Sequence, residues 1–140
     1  MTGPDTPPLP GYTIYDPHDP FETRAGPFWW SKQEDGSNHF ILKVTERHCN
    51  TYGIVHGGLM MTMIDLVLVA VAKVEPGDRF VTVSLNSEFV SSGRQGDLIE
   101  ARATLTRRGR SLSFAQGQVT SEDRILLTAS AVLKPIKSAG

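Results

Sequence analysis

Cysteine is almost absent: Cys49 is the only one in 140 residues. One thiol closes no internal disulfide and builds no thiolate metal cluster. The expected setting is reducing and cytoplasmic. Net charge is nearly absent too. Lys and Arg number 14 against 15 Asp and Glu, whereas a nucleic-acid partner calls for a basic excess. No polybasic run or basic amphipathic helix marks a membrane surface. The longest apolar stretch, Leu59 to Ala72, is shorter than the roughly 20 residues that a membrane-spanning helix needs. The N-terminal residues, Met1 to Pro8, have neither the charged nor the apolar region of a secretory signal. His18 and His39 lack ligand partners at metal-binding spacing, so no metal is expected. What is present is ordinary for one soluble domain with a real core: 39% hydrophobic and 21% charged residues.

Proline is concentrated, with six of the nine within residues 1–20. That segment reads as an irregular arm, docked through Phe21, Phe28, Trp29 and Trp30. Residues 21–136 read as one domain and 137–140 as a tail. Phe28 to Lys32 and His39 to Val44 have strand character around a turn at Glu34 to Asn38. A loop over 45–56 leads into a helix from about Gly58 to Val74, ended by Pro76-Gly77. This helix is apolar nearly all round and is predicted to be buried on most faces. Strands follow over Phe80–Phe89, Leu98–Leu105, Leu112–Val119 and Ile125–Leu133, joined by tight turns. Val81, Val83 and Leu85 alternate as one face of the first, and Thr82 and Ser84 share the other. The turn at Arg107 to Arg110 calls for a positive φ at Gly109. The layout is α+β: an antiparallel sheet around one central helix.

Within that helix Asp65 is the only charge, and Thr62 the only other polar side chain. A carboxylate in such a run is costly unless it is paired, hydrogen-bonded or used. Asn50, the run Gly53-Ile54-Val55-His56-Gly57-Gly58, Asp65 and the strand Thr82-Val83-Ser84-Leu85-Asn86 stand in order along the chain. In these residues the chain resembles the hotdog-fold acyl-CoA thioesterases of the PaaI-like, phenylacetate-pathway branch, over roughly residues 20 to 135.

The resemblance implies hydrolysis of an acyl-CoA with water as second substrate, and no organic cofactor or metal. Asp65 would activate a water as general base, or attack the thioester directly. Gly57, opening the helix, would aim an unpaired N–H at the thioester carbonyl. Asn50 would hold the acid or the water, with Thr82 close to that water. His56 would mainly hold the loop. His56, Gly58 and Ser84 fall on the substrate-binding side. Arg94 and the turn Arg108-Gly109-Arg110-Ser111 would meet the coenzyme A phosphates. An aryl or medium-chain acyl tail would suit Met60, Met61, Met63, Phe89, Trp29 and Trp30, which could equally be core.

Helix geometry adds a constraint of its own. Eight residues separate Gly57 from Asp65, about 12 Å along a helix axis. One carbonyl cannot touch both in one chain. A homodimer with composite sites is therefore expected, with a tetramer left open. The resemblance assigns Asn50 and Gly57 to one subunit and Asp65 to the other. Two rivals remain: a hydratase or dehydratase of acyl thioesters on the same fold, and an acyl-CoA-binding module without catalysis.

Overall fold

The computed structural model describes residues 6–137. Seven strands form one antiparallel sheet: β1 (Thr13–Ile14), β2 (Trp29–Lys32), β3 (Asn38–Lys43), β4 (Phe80–Phe89), β5 (Leu98–Arg108), β6 (Ser113–Ser121) and β7 (Arg124–Pro135). Their order across the sheet is β1-β2-β3-β5-β6-β7-β4. Two helices are present, α1 (Pro20–Ala25) and α2 (Gly57–Ala72), with a 3-10 turn at Glu46–His48.

The apolar sequence of α2 leaves its orientation open, and the sheet settles it. Leu59, Met63, Ile64, Val67 and Leu68 are buried in the core with Phe40, Leu42, Ile99, Leu126, Leu127 and Leu133. Each buried aliphatic side chain contributes about 1.5–3 kcal/mol. Met61, Thr62, Asp65 and Val69 are only half-buried. At i, i+1, i+4 and i+8 they form one stripe, and Asp65 belongs to it. The carboxylate is thus not a core charge.

Four expectations are corrected. First, the residue 1–20 arm is not wholly irregular. It carries β1, which pairs with β2, and α1 starts at Pro20, capped by Asp19, whose Oδ1 accepts the Glu22 N–H at 2.8 Å. Phe28 and Trp29 are buried as expected, but Phe21 is 64% exposed. The start of the arm, residues 1–5, and most of the tail, 138–140, lie outside the described residues.

Second, β4 and β5 form no hairpin. β4 is an edge strand beside β7, and the chain crosses the sheet to place β5 next to β3. Third, a bulge interrupts β4, since Thr82 pairs with Leu133 but Ser84 with Val132. An extra residue in a strand reverses its alternation. Thr82 therefore faces inward with Leu85 and Ser87, while Ser84 turns outward with Asn86. Val81 and Val83 are 44% and 58% exposed, so neither shares a face with Leu85. Fourth, β5 runs through Arg108, and Gly109 does not have a positive φ. A Cβ there would lie 2.3 Å from the Leu112 carbonyl oxygen. Glycine is needed for close approach of two backbones, not for handedness.

Leu68 is fully buried between α2 and the sheet. Leu68→Ala is expected to lower unfolding stability by about 2–5 kcal/mol, read as a fall in urea midpoint with the m-value unchanged.

Candidate active site

His56 is the N-cap of α2, with extended φ and ψ. Its Nδ1 accepts the Gly58 N–H at 2.8 Å, so this ring nitrogen carries no proton. The bond separates the two glycines. Gly58 spends its N–H on the cap and has none for a substrate, against its expected binding role. Gly57, at N1, has no acceptor for its N–H among the described residues. It points from the positive end of a 16-residue helix.

Gly57 borders a cleft of about 290 Å³ with Asn50, Ile54, Met60, Phe89 and Ser91. The Phe89 ring lies 3.1 Å from where a Gly57 Cβ would be. Asn50 turns its Oδ1 back to the N–H groups of Tyr52 (2.9 Å) and Ile54 (3.4 Å). It builds the loop and does not reach Asp65 in its own chain. Arg94 is beside this loop, bridged to Ile54.

Asp65 borders a different cleft, of about 500 Å³, with Met61, Thr62, Thr82, Leu85 and Glu22. Thr82 donates its hydroxyl to Asp65 Oδ1 at 2.6 Å. No other hydrogen bond reaches this carboxylate among the described residues, which leaves Oδ2 open to the cleft. The bulge in β4 is what turns Thr82 toward Asp65. It turns Ser84 away, where its Oγ meets only Asn86 Nδ2 at 3.5 Å.

The arginines do not gather. Arg108 pairs with Asp78 at 3.6 Å, and Asp78 accepts from the N–H groups of Val74 and Glu75 just beyond α2. The turn holding Gly109, Arg110 and Ser111 is thus at the C-terminal end of α2, and Arg94 at its N-terminal end. Some 24 Å of helix separate these ends, by 1.5 Å per residue. Of the apolar candidates, Met61 lines the Asp65 cleft and Met60 and Phe89 the Gly57 cleft. Met63 and Trp29 are core, and Trp30 stacks on Phe40.

His39 and His48, outside the site, have structural partners. His39 bridges the Tyr12 hydroxyl and Glu100 Oε1, and burial lowers its pKa most. His48 accepts the Thr45 N–H on Nδ1 at 2.9 Å and bonds the Gly26 carbonyl through Nε2. Burial lowers its pKa also. Cys49 Sγ rests 3.6 Å from the Thr45 carbonyl oxygen.

The sequence reading missed α1, and with it Glu22. Asp19 and Glu22 have the spacing of a helix capping pair, and a cap was the signal available. Arg47 donates to the carbonyls of Arg24 and Gly26. With the His48 bond, it pins the end of α1 to the segment before Asn50. Glu22 is thereby held at the wall of the Asp65 cleft. Burial above all, then Asp19, pushes its pKa up to about 7.

A free amide at a helix start and a hydroxyl-bonded carboxylate two turns on could serve many acyl transfers. Comparison with known proteins narrows this: the family model of the Thioesterase superfamily matches residues 52–128. The chain belongs to the thioesterase superfamily. A candidate esterase of Pseudomonas aeruginosa is 33% identical over 110 residues, 76% of this chain and 81% of that protein. Acyl-coenzyme A thioesterase 13 of Mus musculus is 33% identical over 82 residues, 58% of this chain. The match spans 59% of the mouse protein's length. A crystal structure of a candidate thioesterase from Ralstonia eutropha, a phenylacetic acid degradation-related protein, superimposes with TM-score 0.72 at 27% identity. It covers 83% of this chain and 90% of that one. The sheet and central helix of this thioesterase-superfamily member are the hotdog fold, as the sequence predicted. No helix among the described residues is long and apolar enough to cross a membrane.

His56 as N-cap is testable. His56→Ala is expected to cost about 0.5–2 kcal/mol of stability, and His56→Asn, which caps well, only a fraction of that. Urea unfolding of the two variants checks the order.

Proposed function

We propose that the protein hydrolyses an acyl-CoA with an aryl or medium-chain acyl group to the free acid and coenzyme A, at composite sites between two copies of the chain. One observation carries this reading. The free Gly57 N–H and the open Asp65 oxygen are on one rigid helix but in separate clefts. Bringing both to one thioester takes a second chain.

Gly57 of one chain donates to the thioester oxygen, and the bond strengthens as that oxygen gains charge. Asp65 of the other acts as general base on a water or as nucleophile. Thr82 holds one Asp65 oxygen and leaves the second free to work. Water is the only other substrate, and the reaction needs no cofactor or metal. The coenzyme A in the name of the mouse relative supports the substrate class. The phenylacetic acid of the Ralstonia relative supports an aryl acyl group. Arg94 of one chain and Arg108 or Arg110 of the other are the cations we assign to the phosphates. The exposed edge strand β4, with Val81, Val83 and Phe89 uncovered, favours pairing of two chains.

Release of free thiol from a panel of acyl-CoA esters tests the activity. Asp65→Asn is expected to reduce turnover by about 10²–10⁴ without unfolding the protein. Binding of an acyl-CoA with no thiol release from any ester would favour a non-catalytic module instead.

Gly57→Pro tests the amide. Proline is favoured at N1, and His56 already has the extended backbone that precedes proline. The variant deletes the N–H and keeps the helix. It should lose about 10²–10³ in kcat, more than Gly57→Ala, which retains the N–H. Mixing refolded Asp65→Asn and Gly57→Pro chains tests the composite site. Half the dimers are then mixed, each with one intact site, so about a quarter of the activity returns. No recovery would place each site within one chain.

A further inference from the structure

Glu22 has no part in the chemistry above, yet it shares the Asp65 cleft. It occupies N3 of α1, where a glutamate ordinarily reaches back to the N-cap N–H. Here the Asp19 N–H goes to the Asp16 carbonyl oxygen at 3.5 Å instead. Glu22 Oε1 is buried without a hydrogen-bond partner. On its far side the residue walls a second cavity, of about 260 Å³, with Pro27, Phe28 and Arg47. A buried, unpartnered oxygen is tolerable on a neutral carboxyl and costly on an ionised one.

The charged surroundings agree. Asp19 at the cap and Asp16 before it repel a charge on Glu22, and Lys73 beyond α2 attracts it more weakly. Arg47 borders the far cavity and Asp65 the shared cleft. Burial is the largest influence, and the carboxyl holds its proton up to about pH 7. The cleft thus contains three carboxyls, Asp19, Glu22 and Asp65, in unlike settings. Asp65 accepts a hydrogen bond from Thr82, Asp19 accepts the Glu22 N–H and also bonds the Glu22 carboxyl, and Glu22 keeps one oxygen, Oε1, without a partner.

We propose that Glu22 is the acid that protonates the departing thiolate, opposite Asp65, in the thioester hydrolysis read above. As the water oxygen bonds to the carbonyl carbon, Asp65 takes a water proton. The C–S bond breaks with its electron pair on sulfur, and the Glu22 O–H proton moves to that sulfur. Glu22 regains a proton from solvent and Asp65 returns one. A thiol has an ordinary pKa of about 8.5, above that of Glu22, so the transfer is downhill.

Leaving-group dependence tests the role. One acyl group is offered as its coenzyme A ester and as its thiophenol ester, whose thiolate departs without protonation. In Glu22→Gln the ratio of kcat/KM for the coenzyme A ester to that for the thiophenol ester should fall tenfold or more, acid catalysis contributing about 10²–10⁴ in full. The decline of kcat/KM for the coenzyme A ester as pH rises through 7 should vanish. Glu22→Asp should recover part of the ratio. A ratio within twofold of the unsubstituted protein's, in a Glu22→Gln protein with an unchanged urea midpoint, overturns the proposal. Loss of both esters in Asp65→Asn leaves the hydrolysis itself standing whichever way the ratio goes. No hydrolysis of either ester by the unsubstituted protein overturns that reaction, and this role with it.

Discussion

Everything in the site depends on the rigidity of α2. A helix fixes the distance between its first amide and any later side chain, and no side-chain rotation closes about 12 Å. The helix is rigid because the sheet holds it along its length, from Leu59 near the start to Ala72 at the end. Its start is held by His56, which satisfies the second amide and leaves the first unpaired. The same packing that makes the core therefore separates the two reactive groups of one chain. In the composite site proposed above, oligomerisation is then part of the chemistry and not an addition to it.

Around that helix, each functional group is set by a partner of small cost. Thr82 orients Asp65 through a single hydroxyl. Asn50 shapes the loop that presents Gly57 through two bonds to backbone. Arg47 and His48 fix the end of α1 through the carbonyls of Arg24 and Gly26. These contacts join the segment before Gly57 to the helix that flanks Asp65. The two clefts of one chain are thus mechanically connected, while the proposed mechanism assigns them to different sites.

How much of this was legible in the sequence follows from the kind of signal involved. Asp65 was found because a charge among apolar residues is costly, and the glycines because a helix must begin somewhere. The orientation of α2 could not be read, since a helix apolar nearly all round has no preferred face until the sheet supplies one. The β4 pattern misled for a physical reason: alternation counts residues, and a bulge adds one without any change in composition. Thr82 was expected beside the attacking water and is found on Asp65 itself, while the pairing of Thr82 with Ser84 failed at that bulge. The α1 segment lay in a proline-rich stretch, and proline reads as a breaker unless it occupies the first turn, as Pro20 does. Gly109 showed the opposite error. A glycine in a turn suggests unusual φ, whereas here the need is space beside Leu112.

The bulge has a further consequence, for evolution by insertion and deletion. A strand is ordinarily intolerant of a one-residue change, because every side chain downstream swaps faces. In β4 such a change has already been absorbed, between Thr82 and Ser84. Loss of the extra residue there would restore an even ladder with β7 and leave Thr82 opposite Leu133 and Leu85 opposite Ala131, both still facing inward. At this point the strand tolerates a change of length that elsewhere in it would turn Thr82 or Leu85 off its face. A chain one residue shorter here would still present the Thr82 hydroxyl to the helix acid.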